Sequence, residues 1–208
     1  MRTTKKQWAA ALLNAAIVVL EIVAVCHNIR EGGFPVFRYY TVLSNVLAGI
    51  VSLLYVVFFF VRHGQPPRLL ACARYFATCC LTVTFLVVVF VLAPLMHTFW
   101  SLLLTGSMLY QHLLCPLLSL LSFAVFERDA RLLARDIPLS LIPTVLYGAV
   151  TVPLNIARVM RGPYPFMLVY EQPVWVSFLW VVVILGLAAG IGAGVFFLGT
   201  PRKKRKKA

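Results

Sequence analysis

Apolar residues fill six long stretches of the chain, and short polar or charged segments separate these stretches. A helix that crosses the hydrocarbon core of a bilayer needs about 20 mostly apolar residues, and each stretch reaches that length. The pattern therefore predicts an all-α integral membrane protein, built as a bundle of six transmembrane helices. The predicted spans are residues 8–28, 39–61, 70–95, 100–126, 136–157 and 173–199.

The composition agrees with this pattern. Of the 208 residues, 62% are hydrophobic and 12% are charged, and the mean hydropathy is +0.92. Soluble domains carry roughly 25% charged residues. The spans leave no room for a soluble domain, so residues 1–208 are expected to form one membrane domain with a polybasic tail at 200–208. The first apolar run is long and has no clear small-residue cleavage site, so no cleavable signal peptide is expected.

Positive charges lie on alternate sides of the predicted spans. Fifteen of the nineteen Lys and Arg residues precede the first span, flank the second and fourth connections or lie in the tail, and four flank the other connections. Because Lys and Arg collect in cytoplasmic segments, both termini are expected in the cytoplasm of a multi-pass cell-membrane protein. The tail PRKKRKKA is expected to contact anionic lipid headgroups. A nucleic-acid partner is not expected, despite the net charge of +13.

Two ionisable residues lie deep within predicted spans. Glu21 is 14 residues from Gln7, and His112 is 15 residues from Glu127, so both sit roughly 21–22 Å from the cytoplasmic end at about 1.5 Å per residue. Such residues usually face the bundle interior and often mark function. A carboxylate can also fix the tautomer of an imidazole. The alternative is that Glu21 only joins helices. It would do so together with Asn14 and Asn28, which lie seven residues before and after it on the same stripe of the helix.

The segment RYYTVLSNVLAG (residues 38–49) opens the second span with three polar side chains on one helix face, Thr41, Ser44 and Asn45. An adjacent base can activate a hydroxyl as a nucleophile, and an amide such as that of Asn45 can donate to an oxyanion. By the same helical rise Thr41 lies about 9 Å above the level of His112, with Ser44 closer. Spacing therefore permits a hydroxyl–imidazole pair but does not require one. Alternatively, Thr41 and Ser44 bond back to carbonyls of their own helix.

Other polar positions allow two interpretations each. Arg38, just above Thr41, could clamp a carboxylate headgroup or lie at the surface. Cys115 shares a helix face with His112 and is either a thiol nucleophile or a buried apolar residue. The five cysteines have no CxxC spacing, so neither a disulfide framework nor a metal site follows, and no cofactor is expected. Gly186, Gly190 and Gly194 form a small-residue ridge for close helix packing, internal or between subunits.

Three short motifs resemble those of a family of small bacterial six-span membrane proteins. The run YYTVLSN resembles that family's YFTxxSN signature, YQHLLCPLLSLL its NHxxxPxL element, and GPYPFMLVY its YPYPFL outer loop. Gln111 replaces the Asn before the His, and the first Tyr of YPYP is absent. That family is distantly similar to the androgen-induced-gene family of membrane hydrolases, which cleave fatty acid esters of hydroxy fatty acids with an intramembrane Thr and His. The resemblance implies that Thr41 and His112 are the catalytic pair.

Three functions remain open from the sequence. The leading hypothesis is a membrane-embedded lipid ester hydrolase with Thr41 as nucleophile and His112 as base, near the outer leaflet. Glu21 would orient the imidazole and Asn45 would stabilise the oxyanion. The second hypothesis is a lipid acyltransferase that uses the same pocket. The third is a non-enzymatic protein, either a small transporter or a structural subunit, in which Glu21 and His112 relay protons or join helices.

Overall fold

The computed structural model describes residues 4–128 and 131–201. Six helices in this part of the chain are long and apolar enough to cross a membrane, which confirms the predicted number of spans. No strand occurs among the described residues. Residues 202–208, which hold the basic residues of the predicted tail, lie outside them. In chain order the helices are α1 (Lys5–Gly32), α2 (Tyr40–Arg62), α3 (Arg68–Met96), α4 (Gly106–Phe126), α5 (Asp136–Ile156) and α6 (Val174–Gly199).

Helix α3 lies at the centre of the bundle. It packs against α2, α4 and α6, and it buries more of its residues than any other described helix. One apolar cluster joins α3 to α6 and contains Val83 and Val88 of α3 together with Ile191 and Val195 of α6. A second cluster joins α2 and α3 to Cys115 of α4. Because lipid chains are as apolar as these side chains, close van der Waals packing rather than escape from water holds the helices together.

Helix α5 has the opposite pattern to that of a helix in a soluble protein. Its apolar side chains are largely exposed toward the surrounding lipid, and Val145, Leu146 and Val150 are 45–59% exposed. Its buried positions are all polar and follow one face of the helix. Asp136 and Thr144 hydrogen-bond to Arg68 and Tyr40, which lie on other helices, whereas the hydroxyls of Ser140 and Thr151 bond to carbonyls of α5 itself. Apolar contacts of Ile137 and Leu141 with the core add to this attachment. The buried residues are Asp136, Ser140, Thr144, Thr151 and Asn155.

Helix α4 begins at Gly106, six residues after the predicted start of the fourth span. Residues Phe99–Leu104 form a separate short helix. The chain then turns at Gly106, where φ is 52°, a left-handed conformation that glycine adopts without steric cost. Apolar content alone does not reveal such a turn, so the sequence pattern merged the two helices.

Two π-helical segments interrupt α4, at Leu109–Leu114 and Ser122–Phe126. The first carries Gln111 and His112. Pro116 follows it and has no N–H, so it cannot donate to the carbonyl of His112, four residues earlier. Each π turn shifts the side chains that follow around the helix axis, and such turns are frequent at functional sites.

The connection between α5 and α6 folds back over the bundle. The Val169 N–H donates to Oδ1 of Asn155 at 3.2 Å, and Nδ2 of Asn155 donates to the carbonyl of Met160 at 3.0 Å. The rings of Tyr164 and Phe166 stack with centroids 5.3 Å apart. These contacts fix the loop above the start of α2, where Thr41 lies.

Candidate functional site

Thr41 lies in the first turn of α2 and is 8% exposed. Its N–H donates to the hydroxyl of Tyr164 at 3.1 Å, and its own hydroxyl lies 3.4 Å from the same oxygen. The hydroxyl of Thr41 therefore does not bond back to its own helix in this structure. Its partner is the phenol of the folded-back loop.

Ser44 and Asn45 do bond back to their own helix. Both donate to the carbonyl of Thr41, at 3.0 and 2.8 Å. Each also reaches another helix: the hydroxyl of Ser44 pairs with that of Thr84 in α3 at 2.9 Å, and Nδ2 of Asn45 donates to the carbonyl of Gln111 in α4 at 3.1 Å. Both N–H groups of the Asn45 amide are thus used on carbonyls. In this structure Asn45 links α2 to α4 and offers no free donor for an oxyanion.

His112 is 5% exposed, and its Nδ1 lies 2.6 Å from the carbonyl of Leu102. A carbonyl only accepts, so Nδ1 carries the hydrogen and the neutral imidazole keeps its lone pair on Nε2. This is the tautomer that a general base uses. A backbone carbonyl, rather than Glu21, orients the ring.

Thr41 and His112 form no direct hydrogen bond in the described part of the chain, because the hydroxyl pairs with Tyr164 and Nδ1 with Leu102. The amide of Asn45 nevertheless connects the two neighbourhoods, through the carbonyls of Thr41 and Gln111. The first turn of α2 and the π turn of α4 are therefore adjacent in the interior.

A cavity of about 750 Å³ lies beside Thr41. Its walls are mostly apolar side chains of α3, α5 and α6, and His112 is not among them. Several wall residues are strongly exposed, including Phe178 at 69% and Val181 at 46%, so the cavity opens sideways toward lipid between α5 and α6. Eight of its wall residues carry hydroxyl groups: Tyr40, Thr41, Thr84, Thr144, Tyr147, Tyr164, Tyr170 and Ser177.

Tyr164 covers the polar end of this cavity. Its ring also contacts that of Tyr39 edge-on, with centroids 5.9 Å apart. Burial raises the pKa of the Tyr164 hydroxyl above its ordinary value of 10.0, and its hydrogen bonds with Thr41 act against that rise. The hydroxyl therefore stays protonated at neutral pH and can both accept and donate hydrogen bonds.

The predicted stripe on α1 faces α4. Nδ2 of Asn14 donates to Glu127 at 2.9 Å, and Nδ2 of Asn28 donates to Oε1 of Gln111 at 2.8 Å. These two residues join helices, as one reading of the stripe requires. Glu21 is 3% exposed and differs from both, because neither of its carboxyl oxygens has a hydrogen-bond partner among the described residues.

The remaining candidates lie outside the cavity beside Thr41. Arg38 is exposed, donates to the hydroxyl of Tyr39 at 2.9 Å, and lines a separate groove of about 460 Å³ between α2 and α5. Cys115 is fully buried and is a free thiol. The glycine ridge of α6 faces outward: a Cβ at its three positions would meet no atom within 4 Å, so it serves no internal packing. The ridge residues are Gly186, Gly190 and Gly194.

The buried ion pair of Arg74 was not predicted from the sequence. This residue lies inside the predicted third span, its side chain is 1% exposed, and it forms an ion pair with Glu127 at 2.9 Å. Arg74 also donates to the hydroxyl of Ser52 at 3.2 Å. Its position inside a predicted span, with an acidic residue at the matching end of α4, was the signal that could have revealed the pair.

In the described ranges, no group of three or more His, Cys, Asp or Glu side chains comes together as a metal site would. Comparisons with protein-family models, with curated proteins and with solved structures found no match to this chain. The described residues bring together an apolar cavity open to lipid, a hydroxyl-lined polar end that includes Thr41, and a histidine with an available Nε2 in the neighbouring helix.

Proposed function

We propose that the protein is a membrane-embedded lipid ester hydrolase whose acyl substrate lies in the cavity beside Thr41. The observation that carries this proposal is that the buried residue Thr41 borders the apolar cavity and is linked through Asn45 to the π turn that carries His112. A pocket of 300–1,000 Å³ with few polar groups is typical of sites for small, largely apolar ligands.

The proposed chemistry uses the groups that the bundle places near one another. The Thr41 hydroxyl attacks the ester carbonyl while its proton passes to Nε2 of His112. The imidazolium then protonates the departing alkoxide, and water, activated by the same imidazole, releases the fatty acid from Thr41. The hydroxyl of Tyr164, rather than the amide of Asn45, is in position to donate to the oxyanion. This sequence requires Thr41 to exchange Tyr164 for His112, directly or through a bound substrate atom.

The same proposal includes an orientation and a location. The charge asymmetry supports a cell-membrane protein with both termini in the cytoplasm, so Thr41 and the cavity would lie toward the outer leaflet. The basic tail would contact anionic headgroups on the cytoplasmic side. The outward glycine ridge of α6 would be available for close packing with another subunit.

A second candidate is a lipid-binding membrane protein without catalytic activity. The observation that favours it is that His112 is absent from the cavity walls and does not bond to Thr41.

An acyltransferase would use the same cavity and would pass the acyl group to an alcohol instead of water. Product analysis with and without an added alcohol separates this reaction from hydrolysis.

The decisive experiment labels the purified protein with a fluorophosphonate probe in lipid nanodiscs, and measures fatty acid release from a long-chain ester. Thr41→Val and His112→Ala should each abolish labelling and ester cleavage. Thr82→Val is the matched control, because the Thr82 hydroxyl is buried but bonds only to its own helix, at the carbonyl of Thr78. Labelling and cleavage that persist in both variants would refute the proposal, and so would their loss in the Thr82→Val control.

A further inference from the structure

Glu21 occupies a junction of three helices. Helices α1 and α2 approach each other closely there. A Cβ added at Gly49 of α2 would lie 3.2 Å from Cβ of Glu21. On the α4 side, the amide of Gln111 and the thiol of Cys115 are the polar neighbours of the carboxyl group. Glu21 is 3% exposed, and neither carboxyl oxygen meets the geometry of a hydrogen bond with these neighbours.

Four buried polar atoms at this junction have no hydrogen-bond partner in the part of the chain that the structure describes. They are the two carboxyl oxygens of Glu21, Oδ1 of Asn45 and Nε2 of Gln111. Asn45 is fully buried and Gln111 is 2% exposed. Buried polar groups in proteins are almost always hydrogen-bonded, so these neighbouring groups are expected to pair with one another.

The count of donors and acceptors shows what such pairing requires. As a carboxylate, Glu21 offers only acceptors, and Oδ1 of Asn45 is another acceptor. Gln111 supplies the single unused donor group, since its Oε1 already accepts from Asn28. One additional hydrogen on the carboxyl group would provide a donor for Asn45 and leave an oxygen to accept from Gln111.

No positive charge among the described residues compensates Glu21. Arg74 is the buried cation of the bundle, and both its Nε and its Nη2 bind Glu127 at 2.9 Å. That pair lies beside Asn14, about two helical turns from Glu21 along α1. On the facing elements, Asn45 and Gly49 of α2 do not titrate, and the thiol of Cys115 is a titratable neighbour on α4. His112 follows Gln111 on the same π turn, and its Nδ1 is held by the carbonyl of Leu102. An isolated carboxylate in such surroundings is strongly disfavoured.

We propose that Glu21 is a proton-binding site, a neutral carboxylic acid whose proton completes a hydrogen-bonded network across α1, α2 and α4. Its O–H donates to Oδ1 of Asn45, and its other oxygen accepts from Nε2 of Gln111. A small metal cation fits less well, because the –NH₂ of Gln111 faces the same space and would be repelled by it. Glu21 keeps this role whether or not Thr41 is a nucleophile.

The proton at Glu21 also acts on the candidate site. Asn45 donates to the carbonyls of Thr41 and Gln111 at 2.8 and 3.1 Å, so a bond from Glu21 to its Oδ1 fixes the amide from the other side. Loss of the proton would turn that bond into a repulsion between two acceptors. The link between the first turn of α2 and the π turn that carries His112 would then loosen.

Infrared difference spectroscopy of the purified protein in nanodiscs at neutral pH tests this proposal. Glu21→Gln should remove a carbonyl stretch of a protonated carboxylic acid, one that shifts in heavy water. Glu171→Gln is the matched control, because Glu171 is half exposed and paired with Arg161 at 2.7 Å, and it should remove only carboxylate bands. The proposal would be overturned if Glu21→Gln removed carboxylate bands instead. The measurement is made with and without added sodium, because a bound cation would keep Glu21 as a carboxylate.

A second variant keeps the test valid if Glu21→Gln does not fold. Asn45→Ala removes the proposed acceptor but leaves the carboxylic acid in place. The carbonyl stretch should persist and move to the frequency of a more weakly hydrogen-bonded acid. A wild-type spectrum without any protonated carboxylic acid band at neutral pH would by itself refute the assignment.

Discussion

The hydroxyl of Tyr164 accepts a hydrogen bond from the backbone N–H of Thr41 at 3.1 Å, across 123 residues of sequence. The first N–H groups of a helix have no partner within it, and the residue that precedes α2 provides no side-chain cap. Tyr164 therefore caps α2 from another part of the chain. The same oxygen lies 3.4 Å from the Thr41 hydroxyl. One phenol therefore both caps the N-terminus of α2 and covers the candidate nucleophile.

Tyr164→Phe is expected to destabilise the protein by about 1–3 kcal/mol, because it leaves the N–H of Thr41 buried without a partner. The loop between α5 and α6 should also open more often. Thermal unfolding and limited proteolysis of that loop measure the two effects. Tyr110→Phe is the control, since the Tyr110 hydroxyl makes no hydrogen bond to the described residues. Equal stability and equal cleavage in the two variants would contradict the capping role.

The stability of the folded protein should fall at alkaline pH through Tyr164. Burial raises the pKa of this hydroxyl in the folded state above the ordinary value of 10.0, so the protonated form is favoured by folding. The resulting stabilisation is complete below pH 10 and is lost as the pH rises through the higher pKa of the folded state. Absorbance of tyrosinate, compared between wild type and Tyr164→Phe, should show one late-ionising tyrosine. A difference spectrum that titrates near pH 10 or below would disprove this expectation.

Arg74→Met should destabilise the protein by about 3–5 kcal/mol, because it leaves the carboxylate of Glu127 buried and uncompensated. The double variant Arg74→Met with Glu127→Gln should recover much of this loss, since no unpaired charge remains. Thermal unfolding in detergent provides the comparison. Arg161→Met is the control, because its ion pair with Glu171 is exposed and is worth at most about 1 kcal/mol. A double variant as unstable as Arg74→Met alone would argue against a charge effect.

Gly148→Leu should block the cavity beside Thr41 without altering the hydrogen bonds of Thr41. Gly148 lines the cavity, and a Cβ there would meet no atom within 4 Å. We expect lipid or ester affinity to fall about tenfold or more, which corresponds to about 1.4 kcal/mol. Binding of a fluorescent long-chain ester in nanodiscs measures the change. Gly186→Leu serves as the control, because Gly186 is equally unobstructed but lies outside the cavity. Unchanged affinity in Gly148→Leu would mean that the ester binds elsewhere.

Apolar runs and turn residues were enough to predict the six helices, because length and hydropathy define a membrane span. The burial of Thr41, Ser44 and Asn45 on one face of α2 also agrees with their helical spacing. The start of α4 at Gly106 differed from the predicted start at residue 100, because a turn inside an apolar run does not change the hydropathy.

The relation between Thr41 and His112 could not be predicted, for a geometric reason. Helical rise gives the height of a side chain in the membrane, but not its direction around the helix axis. The π turn at Leu109–Leu114 adds a residue to the turn that carries His112, and one residue corresponds to about 100° of rotation in an α-helix. The roles of Tyr164 and of the Leu102 carbonyl likewise depend on contacts between distant segments, which periodicity does not encode.

The sideways opening between α5 and α6 also determines how the proposed ester cleavage should be measured. An ester that entered there would not pass through water, and it would encounter Thr41 by diffusion in two dimensions. Rates should therefore follow the mole fraction of the ester in the bilayer, and diluting it with inert lipid should slow turnover even when the total amount of ester per volume is constant.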